Sequence, residues 1–143
     1  MATLTATKQY SITDDNGTEF SVDFSGTVAN VGEVINRTML IPASEVTVIN
    51  IAAAVAAGTL TDIKFLLLKN YDETNFVRIR LEDTGAMTAD IKLAPGETFD
   101  LYNTKLSVHA TGGAFSAFGD IDTVSAQADT AACKLGVFAG QPC

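Results

Sequence analysis

Apolar and polar residues alternate along much of this chain with a period of two, the spacing of a strand with one buried face. Residues 19–24 show it most cleanly: Phe20, Val22 and Phe24 point one way, and Glu19, Ser21 and Asp23 the other. That pattern predicts a half-buried strand with one solvated face. Residues 3–12 alternate more loosely through Leu4, Ala6, Tyr10 and Ile12. Between the two runs stands Asn16-Gly17, a dipeptide favoured in two-residue hairpin turns because both positions accept φ > 0. Residues 25–32 read as a loop or an irregular strand. Residues 33–41 resume β-type composition and stop at Pro42, and 43–51 read as a further strand. The alanine-rich run 52–58 has two readings: one or two helical turns ended by Gly58, or a continuation of the preceding strand.

Three strands and two turns are expected across residues 63–102. In the first strand Ile63, Phe65 and Leu67 form one face while Leu66 and Leu68 fill the other, so both faces are apolar. Such a strand lies between layers of its own fold or against a second subunit. A polar turn follows at 70–75. Beyond it Val77, Ile79 and Leu81 line one face, and Phe76, Arg78, Arg80 and Glu82 the other. Arg78 and Arg80 are either an anion or partner contact, or a solvated face paired with Glu73, Glu82 or Asp83. Pro95-Gly96 marks a turn, since Pro presets φ and Gly accepts a positive one. Residues 106–110 alternate again, and 111–120 form a glycine-rich loop carrying Phe115 and Phe118. Residues 122–132 read as a polar, irregular surface segment. The last strand is expected at 132–138, with Cys133, Leu135 and Val137 in phase. Roughly eight to ten short β-segments of this kind predict an all-β fold. The expected architecture is an antiparallel β-sandwich, jelly-roll-like, with at most one short helical segment, in a single domain spanning 1–143.

Composition removes several functions. Nine Lys and Arg stand against 17 Asp and Glu, a net charge of −8, which argues against binding nucleic acid through its phosphates. The start of the chain has no basic segment leading into a long apolar one, so no secretory signal is read. The most apolar run, 46–60, is interrupted by Thr47, Asn50, Gly58 and Thr59 and falls short of a membrane span. A soluble, cytosol-made protein with no membrane partner is expected. Cys133 and Cys143 do not make a zinc site without further ligands, and free thiols are expected. The cluster Asp14-Asp15-Asn16-Gly17 lacks the spacing and terminal Glu of a calcium loop and reads as turn chemistry. His109 is the sole histidine, and no triad or metal centre follows from its spacing. No catalytic residue, cofactor or metal is therefore expected.

The order of parts in the second half carries a resemblance. An apolar strand ends in Lys69-Asn70. A short turn and Val77-Arg78-Ile79 follow, then Ile91-Lys92-Leu93-Ala94-Pro95-Gly96-Glu97, then Leu106-Ser107-Val108-His109-Ala110 and a terminal strand. Over residues 63–138 this pattern resembles the small jelly-roll structural proteins of tailed bacteriophage virions, which include capsid decoration (cement) proteins and tail-associated proteins. The resemblance implies a non-enzymatic virion component assembled in the host cytoplasm. Its partners would be copies of itself, as a trimer, and the major capsid protein or other virion proteins. On that reading the candidate interface residues are Phe65, Leu66, Leu68, Arg78, Arg80, Phe115 and Phe118. A carbohydrate-binding sandwich is the alternative, with Tyr71, Tyr102, Phe115 and Phe118 as stacking platforms. A cupin-type enzyme would need several His and a carboxylate around a metal, and His109 stands alone.

Overall fold

The computed structural model describes residues 2–50, 63, 65–83, 87–102 and 121–142, with the backbone alone at Glu33, Tyr102 and Pro142. Among them the expected alternation becomes nine strands and no helix. These are β1 (Ala2–Thr13), β2 (Glu19–Ile41), β3 (Val46–Asn50), β4 (Phe65–Asn70) and β5 (Val77–Asp83). The remainder are β6 (Thr88–Leu93), β7 (Thr98–Tyr102), β8 (Ile121–Ala128) and β9 (Cys133–Pro142). They form a five-stranded sheet, β1-β2-β9-β4-β7, and a four-stranded sheet, β3-β8-β5-β6. Every pairing is antiparallel. From β2 onward each connection changes sheet except β5–β6, which is the order of a jelly roll. The all-β sandwich read from the sequence is thus the fold.

Period-two alternation supplies the core. Leu66 and Leu68 of β4, Val77, Ile79 and Leu81 of β5, and Leu135 and Val137 of β9 all point between the sheets and are essentially inaccessible. Burying each such side chain contributes roughly 1.5–3 kcal/mol relative to leaving it in water. On the other side of β4, Phe65 and Leu67 join Val28, Val31, Leu4 and Phe138 in a second, smaller cluster. Both faces of β4 are therefore covered by the chain itself, the first of the two readings that its doubly apolar sequence allowed.

Three expectations need correction. Residues 63–102 hold four strands rather than three, and the turn at 70–75 carries the chain from one sheet to the other, since β4 and β5 lie in different sheets. Residues 122–132 are no irregular surface segment. Most of this stretch belongs to β8, a central strand of the four-stranded sheet with Val124, Ser125, Ala126 and Ala128 buried. Its small side chains hid an inward face that close packing between sheets readily accepts. The Asn16-Gly17 turn is also longer than two residues, since Thr13 pairs with Glu19. Asp14 organises the extra length: its carboxylate accepts the backbone N–H of Asn16 at 2.9 Å and of Thr18 at 2.8 Å. Gly17 takes the positive φ. The turn reading of this acidic cluster accounts for all of these bonds. The alanine-rich run 52–58 lies outside the described residues.

Asn70 fixes the crossing from β4 to β5. It is fully buried, and its Nδ2 donates to the carbonyls of Asn75 at 2.8 Å, Leu93 at 3.1 Å and Ala94 at 3.2 Å. Its Oδ1 accepts the Asp72 N–H at 2.9 Å. One side chain thereby ties the end of β4 to the loop before β5 and to the end of β6. Buried polar groups left without partners cost about 1–3 kcal/mol each. Asn70→Ala is therefore expected to lower stability by on the order of 3 kcal/mol in urea unfolding. A loss below about 1 kcal/mol would show that water replaces these bonds freely.

Candidate functional site: an arm across one sheet face

The two outer faces of the sandwich differ in chemistry. On the four-stranded sheet Arg80 lies opposite Asp90 and binds it through Nε–Oδ1 at 2.8 Å and Nη2–Oδ2 at 3.0 Å. Arg80 also reaches Glu45 at 3.0 Å, and Arg78 stands 3.8 Å from Asp90. The Lys92 ammonium sits 4.5 Å from the Phe76 ring centre. This face is polar and internally matched. The arginines pair across strands as one reading expected, although with Asp90 and Glu45 rather than Glu73, Glu82 or Asp83.

The face of the five-stranded sheet is apolar where Phe65 and Phe138 meet, ring centres 5.0 Å apart. Their approach depends on Gly140, where a Cβ would overlap the Phe65 ring and come within 3.2 Å of Val31. The β1–β2 hairpin covers this patch. Residues of β2 from Val34 onward pair with β9, whereas those before Val31 pair only with β1. The register shifts between Val31 and Val34, and Asn30 takes φ 59°, a left-handed conformation that Asn tolerates better than most residues. There β2 bends, and the hairpin becomes an arm.

Lys8 shows where the arm goes. It forms an ion pair with Asp100 of β7, although β1 and β7 stand at opposite ends of the five-stranded sheet. Four strand spacings amount to roughly 19 Å, too far for a flat sheet. The arm therefore crosses the outer face, with Leu4 and Val28 on the Phe65–Phe138 patch and Lys8 above β7. Burial works to lower the Lys8 pKa, but hydrogen bonds to Asp100 and Tyr10 and the Asp100 charge outweigh it, and the net shift is upward. A raised pKa means that this stabilisation is complete at neutral pH. The lysine's share of it is lost as pH rises past 10.5, through the folded value.

Beyond Lys8 the same face of the arm has no such cover. Lys8, Tyr10 and Ile12 pair with Phe24, Val22 and Phe20, which puts five large apolar side chains on one side. They are exposed by 55% at Tyr10, 67% at Ile12, 54% at Phe20, 51% at Val22 and 54% at Phe24. Tyr10 and Phe24 meet edge-on, their ring centres 5.9 Å apart. The half-buried strand expected at residues 19–24 is thus exposed on both faces within one chain. Alternation shows which residues share a face, but not what covers it.

Between arm and sheet lies an open cleft of about 270 Å³, lined by Leu67, Phe138, Tyr71, Lys69, Thr98 and Asp100 among others. Tyr71 lies over Gly136, where a Cβ would stand 2.6 Å from its ring, and Lys69 sits 5.0 Å from that ring's centre.

The candidate interface residues fall into three groups. Phe65, Leu66 and Leu68 are at most 1% exposed, so the chain's own arm and core use the surface that a partner would need. Arg78 and Arg80 remain on the surface with their charges matched by Asp90 and Glu45. Phe115, Phe118, His109, Cys143 and the Tyr102 side chain lie outside the described residues. Sequence reasoning missed the arm tip as a surface and Lys8–Asp100 as its clamp. The sequence carried little signal of it: the β-type runs 19–24 and 33–41 flank a stretch that reads as a loop or an irregular strand, yet all three belong to the single strand β2.

Cys133 is a buried free thiol whose Sγ lies 3.3 Å from the Ala131 carbonyl. Burial, then the nearby Asp72 charge, pushes its pKa up, which makes it a poor nucleophile. Among the described residues no three His, Cys, Asp or Glu are grouped to hold a metal ion, and no helix is long and apolar enough to cross a membrane. No protein-family model, curated protein or solved structure matches the chain.

Two surface carboxyls set an acid limit. Asp90 titrates below the ordinary 3.8 because Arg80 hydrogen-bonds it, with the Arg80 and Arg78 charges adding to the shift. Asp72 does so because it accepts the backbone N–H groups of Asn75 and Thr74. A lowered pKa gives stability that is present above 3.8 and lost as pH falls through the folded values. Melting temperature should therefore fall from pH 5 to pH 2 by less in an Asp72→Asn/Asp90→Asn variant than in the wild type. Equal declines would contradict these assignments.

Proposed function

We propose that this chain is a non-enzymatic structural protein of a tailed-phage virion, a capsid decoration (cement) protein that stabilises the shell through subunit contacts. One observation carries the reading: a closed jelly roll extends a hairpin arm whose apolar face is more than half exposed. The jelly roll alone does not select a function, since viral capsid proteins, lectins and cupins share it. An apolar face held out on an arm adds a reason to associate, because surfaces of this kind mark protein contacts. The same chemistry suits a tail-associated position on the virion.

The cleft beside Tyr71 favours a second reading, a carbohydrate-binding module. An exposed aromatic ring next to Lys69, Thr98 and Asp100 offers a flat apolar platform flanked by polar groups, the chemistry that a sugar ring takes. Glycan-array binding that Tyr71→Ala abolishes would support that reading over the first.

Immunogold labelling and mass spectrometry of purified virions test the proposal. Many copies distributed over the shell are the expected result. Label confined to the tail would select the tail-associated alternative, and virions without the chain would overturn both.

A further inference from the structure

The arm raises a specific question: what covers Tyr10, Ile12, Phe20, Val22 and Phe24? Taking roughly 150–250 Å² for a whole aromatic side chain, the five half-exposed groups present on the order of 500 Å² of apolar surface. That is near the upper end of the largest apolar patch on an ordinary monomer, about 300–600 Å². An equal area on an acceptor brings each contact to on the order of 1,000 Å², about the threshold of a specific interface. A reciprocal pair of arms doubles it, into the range of stable complexes.

The chain itself offers an acceptor. Rows of the five-stranded sheet's outer face run Asn36, Phe138, Leu67, Asp100 and then Thr38, Gly136, Lys69, Thr98. The next row pairs Leu40 with Lys134. The chain's own arm reaches the first row through Lys8 at Asp100. Further along the face, Leu40 is 66% and Tyr71 54% exposed. Lys69 and Lys134 are exposed beside them. The arm tip carries the opposite charge, with Asp14 and Asp15 in the turn and Glu19 and Asp23 on its polar side. An apolar stripe with an acidic rim thus faces an apolar patch with a lysine rim, which favours docking in one orientation.

We infer that the arm tip of one copy docks on the outer face of the five-stranded sheet of a second copy, around Leu40 and Tyr71, between Lys69 and Lys134. The root of each arm stays on its own sheet while its tip serves a neighbour. The contact joins two different surfaces, so it closes as a two-fold pair with both arms exchanged or as a ring, or else runs on as an open filament. This inference rests on the proposed assembly role and names the partner that the arm would take.

Light scattering on size-exclusion fractions of the full chain, over a hundredfold range of concentration, tests it. The wild type is expected to self-associate. Phe20→Ser/Phe24→Ser, which strips the tip, and Leu40→Glu/Lys134→Glu, which spoils the acceptor, should each weaken self-association at least tenfold. All four sites are exposed, so melting temperature and circular dichroism should stay near wild type. If the first pair unfolds the arm, Tyr10→Ser/Val22→Ser replaces it. The first variant keeps its acceptor and the second keeps its arm, so an equimolar mixture should form a 1:1 dimer. A monomeric wild type, self-association unchanged in either variant, or a mixture without heterodimer would each overturn the inference. Virion incorporation is a separate measurement. A monomer that still decorates shells sinks only the arm exchange, and a self-associating chain absent from virions sinks only the virion role.

Discussion

The packing of Phe65 on Phe138 above Gly140 is the contact on which the arrangement depends. It leaves an apolar patch on the outer side of the five-stranded sheet, where a sandwich usually meets water. Phe65, at the centre of the patch, is sealed from water because Val28, Val31 and Leu4 lie across it. A side chain at position 140 would lift the Phe65 ring and with it the seat of the arm. The bend at Asn30, the register shifts on either side and the reach of Lys8 to Asp100 all serve that covering.

Covering the patch has a cost at the other end of the hairpin. β1 and β2 are long enough to seal the patch and continue past it, keeping the same side-chain phase. The face that is half-buried at Leu4 and buried at Val28 is therefore the face exposed at Tyr10, Ile12, Phe20, Val22 and Phe24. The Lys8–Asp100 pair marks the boundary between the two regimes. The polar face of the four-stranded sheet, with Arg80 held between Asp90 and Glu45, has no comparable demand. The two outer faces therefore differ: one is polar with its charges matched, and the other continues into an exposed apolar stripe.

The core was legible in the sequence because burial and strand period coincide there. Val77, Ile79 and Leu81, and Cys133, Leu135 and Val137, could be assigned by counting in twos, and all six are buried. The doubly apolar β4 was equally clear, and the layer on its outer side proved to be the chain's own arm. β8 was missed because Ser125, Ala126 and Ala128 carry too little apolar area to signal an inward face. The site was legible only in part. Phe20, Val22 and Phe24 were correctly placed on one face, but whether that face is covered depends on where β2 bends, which is a tertiary property. The Lys8–Asp100 pair spans 92 positions and leaves no local trace.

One hairpin thus has a root packed on its own sheet and a tip whose apolar face is exposed within one chain. Amide hydrogen exchange of the full chain, followed residue by residue at low and high protein concentration, measures both halves at once. Slow exchange is expected at Leu4 and Val28 at every concentration. Ile12 and Phe20 should exchange fast when the chain is dilute and gain clear protection when it is concentrated. Root amides that exchange as fast as the tip, or a tip indifferent to concentration, would rule this arrangement out.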